Sequence, residues 1–310
     1  MYRTTNRRRF LIDATSLAVS AYLFPKVARG QDLSRTRIIL LGTKGGPTLG
    51  TSGRSNPSTL LLINNVPYVI DCGYGVSRQL IKAGVALDRL RYIFITHLHS
   101  DHDLEFGGLF YNAWVAKQSP HVDAYGPVGL KQMTRDFFSY MKFDIDTRIV
   151  DEGMSDPRKL LMVHEFDRAG AVMQNEDVRI TRHPPITQSY AYRLETKDRS
   201  VVISGDTAYA PELATFAKGA DVLIHEAMYL PAIEKLIKQN PGSTRLREHL
   251  LAAHTSTEDV GRIAAQAEVK TLVLTHFVPG DDPSITDEQW SEGVRKHFKG
   301  RIIVGKDLME

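Results

Sequence analysis

The sequence predicts a single-domain α/β fold, an αββα sandwich in which two sheets pack face to face and helices cover both outer faces. Three observations predict it. The β-rich runs fall in two groups, with stretches of helical spacing between them. A chain of 310 residues that is 42% hydrophobic can bury a core large enough for either one such domain or two smaller ones. No long linker, repeat or low-complexity tract divides it, which favours one.

Arg37 to Leu41 is an apolar run closed by Gly42, and residues 60–71 read as two strands hinged at Asn64-Asn65. Between them the Gly/Ser/Thr/Pro-rich stretch 42–58 is too polar for a regular element and is expected to rim a site. Val76, Leu80, Ile81 and Ala83 recur at helical spacing, and residues 91–96 form a β-rich run. Further strands are expected at 178–181, 189–195, 201–204, 221–225, 270–275 and 301–304. Helices are expected near 130–141, 210–217, 232–239, 257–267 and 287–297.

The formal net charge of +3 is unevenly placed. Residues 1–30 hold six basic side chains (Arg3, Arg7, Arg8, Arg9, Lys26, Arg29) against Asp13, which leaves −2 for the rest. That balance gives no global electrostatic reason to hold nucleic acid, although a local basic patch stays open. The same segment has a charged head, an apolar middle from Ala14 to Phe24, and Ala28-Arg29-Gly30 before Gln31. This is the pattern of a secretory signal. Arg7-Arg8-Arg9-Phe10-Leu11 resembles the twin-arginine class, which implies a signal peptide over 1–30, the twin-arginine export machinery as a partner, and a periplasmic or secreted domain over 31–310. The apolar run is short for a membrane span, so no membrane association is expected after signal removal.

Cys72 is the one cysteine, so neither an intramolecular disulfide nor a thiolate metal cluster can form. Any metal must use histidine and carboxylate. His97-x-His99-x-Asp101-His102 supplies four such groups in a polar turn directly after a buried strand, where side chains can converge instead of alternating across a sheet. Other members of a site are ambiguous one by one: Asp206 could cap the helix after Ala210, and His254 could open the helix after Thr257.

The segment Ile-Thr-His-Leu-His-Ser-Asp-His at 95–102 resembles the signature of the metallo-β-lactamase superfamily. Leu-Leu-Gly-Thr at 40–43 and Ile-Asp-Cys-Gly at 70–73 are similar to its ribonuclease Z and arylsulfatase-like branch, as are Tyr-Ala-Tyr-Arg-Leu-Glu at 190–195 and Ile-Ser-Gly-Asp-Thr at 203–207. Val-Leu-Ile-His-Glu-Ala at 222–227, His-Thr-Ser at 254–256 and Leu-Thr-His-Phe at 274–277 extend the likeness over nearly the whole chain after residue 30. The resemblance implies a metallo-β-lactamase-type sandwich holding two Zn2+ ions, with Mn2+ or Fe2+ as alternatives. It places His97, His99 and His183 on one ion, Asp101, His102 and His276 on the other, and Asp206 between them. His164 and His121 compete with His183. Asp71 is expected to orient the metal loop, and Cys72 to be a small buried hydrophobe. His254 is expected to reach the scissile group with Glu226, beside His225, in support, and Asp101 to align or deprotonate the attacking hydroxide shared by the two ions.

Substrate is the weaker inference. Ribonuclease Z enzymes of the branch carry a long Gly/Pro-rich arm between the third histidine and the bridging aspartate, whereas residues 195–200 pass almost directly into the next strand. With export and a charge of −2, this predicts a small-molecule ester, an aryl sulfate or phosphodiester, and no nucleic acid. Lactonase or β-lactamase activity and a non-catalytic metal-binding protein are the alternatives. Members of the branch often dimerise, so a homodimer is among the expected partners.

Overall fold

The computed structural model describes residues 35–50, 52–117 and 121–310, so the expected signal segment lies outside the described residues. One sheet runs β1 (Arg37–Gly42), β2 (Ser58–Ile63), β3 (Val66–Ile70), β4 (Tyr92–Phe94), β5 (Val122–Pro127) and β6 (Leu161–Phe166), in sequence order. The second has β7 (Gly170–Gln174), β8 (Val178–Ile186), β9 (Ser189–Thr196), β10 (Ser200–Ile203), β11 (Val222–Met228), β12 (Thr271–Val278) and β13 (Arg301–Val304). Each sheet is antiparallel at one side and parallel at the other: β1 to β3 and β7 to β10 pair antiparallel, and the remaining neighbours pair parallel.

The strands alternate between two apolar surroundings, as strand geometry requires. Leu60 and Leu62 face the helices while Leu61 and Ile63 face the other sheet; Val69 and Tyr68, Ile93 and Phe94, and Leu223 and Ile224 divide in the same way. Three packed layers of side chains result. Helices α1 (Val76–Lys82) and α3 (Phe106–Val115) cover the first sheet through Val76, Leu80, Phe106, Leu109 and Phe110. Helices α6 (Pro211–Phe216), α9 (Thr257–Gln266) and α10 (Asp287–Arg295) cover the second through Leu213, Val260, Ile263, Trp290 and Val294. Between the sheets lie Leu61, Tyr68, Ile70 and Phe94 against Ile180, Tyr192, Leu194, Val201 and Ile224.

The expected hinge at Asn64-Asn65 is a two-residue turn with φ of 49° and 62°, the left-handed pair that matches strand twist. The short helix α2 (Ser100–Asp103) follows the β4 strand, and α4 (Leu130–Tyr140), α5 (Lys142–Asp151), α7 (Ile233–Gln239) and α8 (Leu246–Ala253) complete the described helices. Of these elements, α2, α3, α5, α8, β5, β6 and β7 have no counterpart among those expected from sequence. Among the described residues no helix is long and apolar enough to cross a membrane.

Candidate metal centre

The segment after β4 is positioned by a buried carboxylate. Asp71, directly after β3, accepts from Thr96 N–H at 2.8 Å and from Thr96 Oγ1 at 2.9 and 3.0 Å. Its Oδ2 also takes the Nδ1 proton of His102 at 2.8 Å, which leaves His102 Nε2 free to face the centre. Cys72, fully buried, binds the motif through its backbone: its N–H donates to His102 O and its carbonyl accepts from Glu105 N–H. Burial pushes its thiol well above the ordinary range. These are the structural roles expected for Asp71 and Cys72.

Side chains from several strand ends then meet. His97, His99 and Asp206 bring ligand atoms within 4.8 Å of one another, as do Asp101, His102 and His276, and Asp206 forms a third such group with His254 and His276. Asp206 links three of the histidines: its Oδ1 lies 3.1 Å from His276 Nε2 and 3.3 Å from His102 Nε2, and its Oδ2 lies 3.6 Å from His97 Nε2. Neither Asp206 Oδ1 nor His276 Nδ1, both buried, has a hydrogen-bond partner. Buried polar atoms are ordinarily paired. Convergent carboxylates and imidazoles whose ring nitrogens face one another, His102 Nε2 3.0 Å from His276 Nε2 and His97 Nε2 3.0 Å from His99 Nδ1, fit divalent cations of the zinc class.

The electrostatics of Asp206 and His97 agree with that fit. Burial pushes the Asp206 carboxyl up, but His276, His102 and His97 outweigh it and hold the group well below the usual carboxylate range. Burial, aided by the charge of His102, drives His97 well below its ordinary value and keeps it a neutral ligand. For His102 burial acts downward and is outweighed by Asp206, Asp71 and Asp101.

The loop that follows β1 rims this centre through Gly45 and Gly46, as the composition of the 42–58 stretch predicts. Gly46 N–H donates to Asp101 Oδ2 at 2.8 Å, a contact with no signature in the side chains. Gly45 is required because a Cβ there would lie 2.7 Å from the His276 ring. Lys44, almost fully buried, ties the loop down through Gly46 O at 3.0 Å and Asp281 at 3.3 Å.

His254 ends α8 beside the centre, its Nδ1 3.4 Å from Glu226 Oε2 and 3.8 Å from Asp206 Oδ2. Burial lowers its pKa, but Glu226 and Asp206 outweigh burial and raise it to about 9. The other Glu226 oxygen accepts from Thr255 N–H at 2.5 Å, which fixes the 254–256 segment against β11. His225 alternates to the opposite side of that strand, donates Nδ1–H to Glu226 O and joins none of the three groups.

His183 is also outside those groups. Ile180 of β8 faces the sheet–sheet core, so residue 183 faces the helices, and its ring lies 5.6 Å from Phe216 with Nδ1 buried and unpaired. His164 pairs with Asp123 at 2.8 Å on β6, and His121 is exposed; neither approaches the centre. One imidazole at the mouth escaped the sequence reading. His249 on α8 has its ring centroid 5.8 Å from His99 and 6.2 Å from His254.

A family model for the metallo-beta-lactamase superfamily matches residues 52–276. The chain belongs to the metallo-β-lactamase superfamily. Ribonuclease Z of Mycobacterium bovis (strain BCG / Pasteur 1173P2) is 32% identical over 278 residues, covering 87% of this chain and 96% of that one. Ribonuclease Z of Mycolicibacterium gilvum (strain PYR-GCK) is 31% identical over 279 residues, covering 87% and 94%. Among solved structures, the metallo-beta-lactamase fold protein YhfI of Bacillus subtilis has a TM-score of 0.64 at 20% identity, with 88% of this chain and 98% of that one covered. Human tRNase Z, short form, has a TM-score of 0.61 at 21% identity, with 89% and 98% covered. These two show the fold.

Superfamily membership makes the protein a metal-dependent hydrolase whose centre is able to hold metal ions. The relatives correct two expectations. A preference for a small aryl sulfate or other small ester, and the exclusion of nucleic acid, rested on the short connection between β9 and β10, on the expected export and on the charge of −2 after residue 30. Relatives that carry the ribonuclease Z name are matched over 96% of their own length, so a short connection there does not separate this chain from them.

The geometry makes His183 and Asp206 separable. Asp206→Ala is expected to lose both bound ions in elemental analysis of the purified protein, while His183→Ala keeps its full complement; loss of one ion in His183→Ala would restore that residue as a ligand. Asp71→Asn keeps the fold but weakens metal binding by about 10–100-fold in chelator competition, because it removes the charged acceptor behind His102.

Proposed function

We propose that this metallo-β-lactamase superfamily protein is a ribonuclease of the ribonuclease Z type, cutting a phosphodiester bond on the 3′ side of precursor tRNA with two zinc ions as the metals. The observation that carries the proposal is the near end-to-end match, at 32% identity, to proteins named ribonuclease Z. The centre suits the bond. His97, His99 and Asp206 would hold one ion and Asp101, His102 and His276 the other, with Asp206 able to serve both. Bound there, two divalent cations supply Lewis acidity toward a phosphoryl oxygen and lower the pKa of water.

The remaining work falls to this chain's own groups. Asp101, held by Gly46 N–H, is placed to take a proton from the attacking water. His254, backed by Glu226, is placed to deliver a proton to the departing oxygen. Attack by water needs no nucleophilic side chain, and the one cysteine is sealed in the core.

The metal-loaded protein is expected to release the 3′ trailer from a precursor tRNA in a gel assay. Asp206→Ala should show no cleavage, and His254→Ala should lower kcat by about 10²–10⁴-fold with metal content retained. An intact precursor under conditions where another phosphodiester is hydrolysed would sink the tRNA assignment. Export, carried by the 1–30 pattern, is a competing proposal for the cellular role, because it would take the protein away from cytoplasmic precursor tRNA: fractionation of the full chain outside the cytoplasm, abolished by Arg7→Lys with Arg8→Lys, would support export and count against precursor tRNA as the substrate in the cell.

A further inference from the structure

Helix α8 is held in place by one side. Leu250 is buried against Met228, Ile233 and Val278, with Leu246 packed on the same cluster. Residue 249 is turned about 100° round the helix axis from residue 250, which aims it away from that cluster. The His249 ring accordingly lies beside two residues of the site, 5.8 Å from the ring of His99 and 6.2 Å from that of His254. The ring is exposed and, among the described residues, makes no hydrogen bond or ion pair. It joins none of the groups able to share an ion.

This position is outside ligand range of the centre but next to both a candidate metal ligand and the candidate proton donor. A tetrahedral anion seated between His99 and His254 would meet the His249 edge. Imidazole carries at least one N–H in every protonation state, so its capacity to donate does not depend on its charge. A surface histidine that merely faces solvent would have no reason to lie within ring contact of two site residues.

We propose that His249 is a substrate-contacting residue whose ring N–H donates to a non-bridging oxygen of the scissile phosphate. The proposal rests on the RNA-cleaving reading for the nature of the bond, but not for the contact itself. The test therefore uses two phosphodiesters, a precursor tRNA and bis(p-nitrophenyl) phosphate, with the full metal-loaded chain, His249→Ala and His249→Gln. Loss of a contact made to bound substrate and kept in the transition state raises KM without lowering kcat. KM is expected to rise about tenfold on both substrates in His249→Ala, with kcat within about twofold of wild type. His249→Gln, which keeps an N–H donor, should recover most of the loss. Metal content should equal that of wild type in both variants.

Kinetics of His249→Ala within twofold of wild type on both substrates overturn the proposal, as does loss of metal from that variant. A fall in kcat at unchanged KM overturns it too. A KM change confined to the RNA moves the contact to a flanking nucleotide and overturns the scissile-phosphate assignment. Wild-type turnover of the small diester without cleavage of precursor tRNA would sink the RNA reading alone, and His249 would then be judged on the small diester. A wild-type protein that hydrolyses neither overturns both.

Discussion

The Asp71 carboxylate is the constraint on which the rest of the centre depends. It sits at φ 64°, a conformation that non-glycine residues adopt only at a cost, and it is nearly buried. Three donors, the Thr96 N–H, the Thr96 hydroxyl and His102 Nδ1, offset that cost. One side chain thus locks the end of β3, the end of β4 and a candidate ligand in a single arrangement. The residues around it repeat the grip from the backbone, with Asp71 N–H donating to Phe94 O and Cys72 N–H to His102 O.

The centre itself is an arrangement that protein groups alone satisfy poorly. Asp101, His102, Asp206 and His276 are all buried, and removing charges from water carries a desolvation cost that their mutual attraction repays only with good hydrogen-bond geometry. Two of their atoms, Asp206 Oδ1 and His276 Nδ1, lack a hydrogen-bond partner altogether. The sandwich tolerates the arrangement because the three apolar layers hold the strands independently of it. Ligands emerge where β4, β10 and β12 end or bend, and Gly205, at φ 61° and only 2.8 Å by its absent Cβ from Tyr190 O, lets Asp206 turn inward from β10. Stability is supplied by the layers, and chemistry is placed on their rim.

Legibility in the sequence follows the same division. Strands with one partner surface on each face, such as Leu60 to Ile63, show as apolar runs ended by turn residues, and helices such as α9 show a one-sided stripe. Helix α3 was hidden because it is apolar almost all round and carries Gly107 and Gly108. The β6 and β7 strands were hidden because they lie at sheet edges and are only partly buried, with Met162 and His164 exposed in β6 and Gly170, Ala171 and Gln174 exposed in β7. His183 illustrates a different limit. Its place in the order of motifs points to a ligand, but facing is decided by strand parity, and three residues on from inward-facing Ile180 the side chain turns to Phe216. His249 lay on a short helix that was not foreseen, so nothing joined it to His99 and His254 before the chain was folded.

Substrate class was misread for a physical reason that extends beyond this chain. A metal centre needs particular residue types at nearly fixed positions, and such requirements concentrate into motifs. RNA binding rests largely on contacts to phosphates, which Lys, Arg, hydroxyl and backbone N–H groups can all make from many surface positions. Its signal is therefore dispersed, and neither a net charge of −2 after residue 30 nor one short connection measures it. Net charge averages over the surface that a nucleic acid never touches. The decisive quantity is the local field beside the centre, where Gly46 meets Asp101 and α8 ends at His254.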